Sequence, residues 1–103
     1  MRETFYRIKR KGTLFFYEGY TLRVVRKQYK FGDAMRDWWY NVEDKIKWST
    51  VRFWSCLMES TVKRHLDLIQ RLEGVCLDDL MVQKCTIGRV EDLEAVDFYG
   101  SKN

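Results

Sequence analysis

Ser55–Gly74, SCLMESTVKRHLDLIQRLEG, is the stretch on which the fold turns. Met58, Val62, His65, Leu66, Ile69 and Leu72 recur at helical spacing and line one apolar stripe. Glu59, Lys63, Arg64, Asp67, Gln70, Arg71 and Glu73 fall mostly on the other side. Ser55 carries the side chain of an N-cap, able to accept a bond from a free backbone N–H. Gly74 can take the left-handed conformation that closes a helix. Such a helix must bury its stripe, and the segments on either side supply strands for it to lie against. The expected fold class is therefore α+β. It is a small, mainly antiparallel sheet of three to five strands with one principal helix, about residues 55–73, packed on one face.

Working outward, Thr4–Lys9 has strand alternation, with Tyr6 and Ile8 on one side and Phe5, Arg7 and Lys9 on the other. Arg10-Lys11-Gly12 makes a turn. Thr13–Glu18 is almost wholly apolar and predicts a central strand covered on both faces. Thr21–Lys27 alternates again and completes a three-stranded meander. In Gln28–Lys47 the pattern changes: Met35, Trp38, Trp39 and Val42 fit i, i+3, i+4, i+7, and Asp33 can cap, which predicts a short second helix near 33–44. A long loop carrying a Trp pair fits the same residues. Lys47–Trp54 predicts a strand leading into the main helix. Leu80–Val90 predicts another, with Gly88 at a bulge or end, and residues 91–98 make a helical turn or an edge strand.

The 103 residues predict one domain, 1–103, with 46% hydrophobic and 33% charged side chains, the balance of a folded globule. No apolar run approaches the ~20 residues of a membrane-spanning helix, so no membrane partner is expected. The first residues, MRETFYRIKRKG, lack the apolar centre of a secretory signal. Three cysteines without a framework predict reduced thiols and a cytoplasmic location. Charge is unevenly spread: residues 1–30 hold nine Lys/Arg against two acids, the remainder ten against thirteen. A chain polarised in this way steers toward an acidic partner.

Tyr6-Arg7-Ile8-Lys9, the Lys11-Gly12 turn, Arg52-Phe53-Trp54 and Val62-Lys63-Arg64-His65-Leu66 stand in an order that resembles small uncharacterised accessory proteins of tailed bacteriophages. The resemblance implies a viral protein acting in the cytoplasm of a bacterial host. It also implies a mode of action, binding and blocking a host macromolecule.

The residue types argue against catalysis. His65 is the sole histidine and sits beside the apolar stripe. Cys56 lies nine residues earlier, on the opposite side of a helix. Cys56, His65, Cys76 and Cys85 are too widely spaced for the close ligand pairs of a structural zinc site. Neither enzyme activity, cofactor nor metal is expected. Trp38-Trp39-Tyr40 beside Arg36 is the residue mixture of interface hot spots. The expected function is a non-catalytic protein that docks a basic, aromatic-rich surface on an acidic host protein and inhibits it. Nucleic-acid binding by the basic N-terminal strands is the alternative, and homodimerisation through an edge strand is open to a chain of this size. The candidate partner-binding residues are Arg7, Lys9, Lys11, Arg23, Arg26, Lys27, Lys30, Arg36, Trp38 and Trp39.

Overall fold

The structure, a computed structural model, describes residues 3–100. Five antiparallel strands, β1 Thr4–Arg10, β2 Phe16–Phe31, β3 Ala34–Ser49, β4 Leu80–Thr86 and β5 Arg89–Glu94, form one sheet in the order β3-β2-β1-β4-β5. The helix α1, Glu59–Glu73, lies across one face, and a short second helix, α2, Ala95–Gly100, follows β5. The expected α+β architecture is present.

The alternation in β1 decides where the core sits. Tyr6 and Ile8 turn toward α1 and are buried with Leu80 and Val82 of β4. Val62, Leu66, Leu68 and Ile69 descend on them from the helix, and Phe98 of α2 closes the end. Tyr17 is the largest fully buried side chain. Its ring meets Trp48, Trp54 and His65 edge-on, while Trp54 stacks on His65 with ring centres 4.1 Å apart.

His65 is thus a packed residue sharing a 2.7 Å hydrogen bond, Nδ1 to Oη, with Tyr17. Burial, with Arg64 adding to it, lowers its pKa below the ordinary 6.5. The folded chain therefore binds fewer protons there than the unfolded chain. Stability from this group is complete above about pH 6.5 and declines as the pH falls toward the lowered folded value. Acidification from pH 7.5 to 5.5 should reduce the urea midpoint of the parent protein more than that of His65→Gln. Equal losses would show that His65 is not the group responsible.

Several local expectations give way to tertiary contacts. The main helix starts at Glu59 with Met58 at the N-cap and no side-chain cap, so Ser55 does not cap it. Cys56 exchanges two backbone hydrogen bonds with Tyr6, of 2.8 and 3.1 Å, and this bridge keeps the chain extended up to Cys56. Met58 is exposed rather than part of the buried stripe. Gly74 ends the helix as expected, at φ 68 with its N–H bonded to Gln70. β3 stops at Ser49 because the Ser49 hydroxyl accepts from the N–H groups of Val51 and Arg52, turning the chain before Trp54. Thr13–Phe15 is not a covered central strand. The Thr13 hydroxyl bonds back to the Arg10 carbonyl in a turn, leaving Leu14 and Phe15 exposed.

The largest correction concerns residues 33–44. They form no helix: Ala34–Ser49 is a continuous strand, and the short second helix lies at Ala95–Gly100 instead. Gly32, at φ 60, and Asp33 make a two-residue hairpin turn that pairs Phe31 with Ala34. From there the register runs unbroken down to Leu22 opposite Glu43. Alternate residues of β3 bond their backbone groups to β2, and the groups between them lie along the open edge of the sheet.

Candidate docking arm

β1 pairs with β2 only at Lys9 and Phe16, so beyond Glu18 the strands β2 and β3 bond to each other alone. They leave the body of the protein as a two-stranded arm. The molecule measures 63 × 30 × 26 Å, and its radius of gyration is 17.7 Å against roughly 13 Å for a compact chain of this length. At about 3.4 Å per residue, the ten residues from Leu22 to Phe31 carry the tip about 30 Å from the body.

Directly opposed residues of an antiparallel pair point to the same side. Two register shifts at the arm's base, between Tyr17 and Gly19 and between Tyr20 and Leu22, set which side that is. Glu43 lies 3.8 Å from Arg71 of α1, so the Leu22–Glu43 pair is on the helix side. Alternation then puts Val24, Arg26, Gln28, Lys30, Met35, Asp37, Trp39 and Asn41 on the helix side as well. Arg23, Val25, Lys27, Tyr29, Phe31, Arg36, Trp38, Tyr40 and Val42 face the other way, here called the back.

The two sides differ in charge. On the helix side Arg26 is 3.4 Å from Asp37 and also lies over the Trp39 ring, and Lys30 is that side's one cation with no carboxylate within ion-pairing distance among the described residues. On the back Arg23 approaches Asp44 at 3.6 Å at the base, and Lys27 sits over the Tyr29 ring. Lys27 and Arg36 have no carboxylate within ion-pairing distance among the described residues. An open groove of about 500 Å³, lined by Tyr29, Phe31, Arg36, Asp37 and Trp38, lies near the tip.

The ten residues nominated from sequence are therefore divided. Arg23, Lys27, Arg36 and Trp38 come together on the back of the arm, whereas Arg26, Lys30 and Trp39 lie on its helix side. The Trp pair does not form a single hot spot: the two rings are 62% and 61% exposed, on opposite sides. Arg7 and Lys9 occupy the back of the body. Arg7 donates to Gln83 at 2.7 Å, which in turn donates to Asp92, and its guanidinium covers the Phe16 and Phe53 rings. Lys11 is bonded to Glu94 at 2.8 Å and belongs with the acidic β5, at the opposite edge of the sheet from the arm. Tyr29, Phe31 and Tyr40 were not nominated. The signal that adds them is the Gly32-Asp33 turn, which fixes the register and hence the side on which each ring stands.

Elsewhere the chemistry is structural. The three cysteines are free, Cys85 buried, Cys76 exposed and Cys56 bonded to the Met58 carbonyl. Among the described residues no group of His, Cys, Asp and Glu is gathered as metal ligands, and no helix is long and apolar enough to cross a membrane. Comparison with protein-family models, curated proteins and solved structures found no match to this chain.

Proposed function

We propose that this chain is a non-catalytic binding protein that works through the β2–β3 arm, docking the back of the arm on an anionic macromolecule of the host cell and blocking it. The observation that carries this is the arm itself. An isolated two-stranded ribbon is marginal in water, and each large apolar side chain kept exposed forgoes roughly 1.5–3 kcal/mol of burial. Phe31, Trp38, Trp39 and Met35 are all about 60% exposed, on the part of the arm from Leu22 to Glu43, which contributes nothing to the core. Rings, cations and open strand edges held away from the body are the equipment of an interface, and Trp, Tyr and Arg are the residues that dominate interface energies. A host target follows from the resemblance to phage accessory proteins. An anionic one follows from the charge of Arg23, Lys27 and Arg36, which suits an acidic protein surface or a nucleic acid.

Heparin chromatography tests the location of the surface apart from net charge. Lys27→Gln/Arg36→Gln should elute at clearly lower salt than the parent. Arg64→Gln/Lys84→Gln, which changes net charge equally but on α1 and β4, should shift much less. Equal shifts for the two double variants would contradict a docking surface on the arm.

A further inference from the structure

We infer that the occupant of the back of the arm is a single-stranded nucleic acid, its bases stacking on Tyr29, Phe31, Trp38 and Tyr40 and its phosphates meeting Arg23, Lys27 and Arg36. This depends on the arm being the docking element, as proposed above, and names what docks there.

From base to tip the opposed pairs on this side are Arg23–Val42, Val25–Tyr40, Lys27–Trp38, Tyr29–Arg36 and Phe31–Ala34. Two successive rows thus set a cation against a ring with the order reversed. Along each strand a cation is followed by two rings, Lys27 by Tyr29 and Phe31 on β2 and Arg36 by Trp38 and Tyr40 on β3, so the two strands carry the same order in opposite directions. A nucleic-acid strand has the matching composition, since each nucleotide brings one planar ring and one negative charge at regular intervals. An acidic peptide brings the charges without the rings, and would leave four aromatic faces unstacked. A duplex has its base faces already stacked inside and offers the rings nothing. A second copy of the chain, laid back to back, would set these cations against their own kind.

The test is fluorescence anisotropy of a labelled deoxythymidine dodecamer titrated with the full chain. Poly-glutamate and a duplex dodecamer serve as competitors, and circular dichroism confirms that each variant keeps the parent fold. Three phosphate contacts predict a log–log salt slope of about −2, so that affinity falls roughly twentyfold between 50 and 200 mM salt. Lys27→Gln/Arg36→Gln should reduce the slope to about −0.7. Trp38→Ala should weaken binding by roughly tenfold or more, while Trp39→Ala, on the far side of the same strand, should leave it within about twofold. Loss of equal size in the two Trp variants, or a duplex that binds as tightly as the single strand, would overturn the inference. Poly-glutamate binding through Lys27 and Arg36 with no oligonucleotide binding at 50 mM salt would overturn it too, yet leave the arm as the docking element. If neither polyanion binds, both the inference and the proposed function fail.

Discussion

Excising residues 23–42 and joining Leu22 to Glu43 through Thr-Asn-Gly-Thr should leave a protein that folds as well as the parent and has lost its partner. Leu22 and Glu43 are directly opposed and, nine pairs from the Phe31–Ala34 pair that closes the native turn, form a non-hydrogen-bonded pair. The added Thr–Thr pair supplies the hydrogen-bonded pair that the Asn-Gly turn closes, so the register below it is undisturbed. The core consists of residues from β1, β4, α1 and α2, with Tyr17 and Ile46 from the base of β2 and β3, and none of these lies in the excised segment. The expected change in unfolding free energy is within about 1 kcal/mol, because the segment contributes exposed side chains and surface ion pairs. Binding to the dodecamer should fall by at least roughly a hundredfold, since every proposed stacking ring and phosphate contact is removed. Denaturant titration and anisotropy measure the two effects on the same sample. A truncated protein that fails to fold would show that the arm supports the body, and one that binds undiminished would place the interface elsewhere.

The second large effect belongs to the body. Leu66 is fully buried where α1 meets the sheet, and Leu66→Ala should cost about 2–5 kcal/mol. For a chain of this size that lowers the melting temperature by roughly 10–20 °C. Val24→Ala deletes apolar atoms from a strand residue that is 60% exposed, and should change stability by no more than about 0.5 kcal/mol. Thermal unfolding of the two variants side by side checks the contrast. Similar losses would mean that the arm is packed against something in the folded molecule, contrary to its exposure here.

The two variants also mark what was legible in the sequence. α1 declares itself because one of its sides is buried and the other wet, so Val62, Leu66 and Ile69 repeat at helical spacing. β1 does so for the same reason with a period of two, Tyr6 and Ile8 inward and Arg7 and Lys9 outward. β3 is illegible by that route. In the arm neither side is buried, so nothing in the pattern separates an inside from an outside. Trp38 and Trp39 stand on opposite sides, and the period of two disappears. The four apolar residues Met35, Trp38, Trp39 and Val42 then match a helical template by coincidence. What decides the conformation is pairing with β2, a contact between segments that the local pattern of either one does not contain. The charge split was legible and its geometry was not. Nine of the nineteen Lys and Arg fall in the first thirty residues, but Lys11 folds back to Glu94 while Arg36, later in the chain, joins the cationic side.

Fluorine NMR of 5-fluorotryptophan-labelled protein tests the central claim most directly, because Trp38, Trp39, Trp48 and Trp54 each report a different place. Trp38 is on the back of the arm and Trp39 on its helix side, whereas Trp48 and Trp54 pack around Tyr17 in the body. Adding the deoxythymidine dodecamer should shift or broaden the Trp38 resonance and leave the other three in place. Movement of Trp39 or the body tryptophans with Trp38 unmoved would contradict the account.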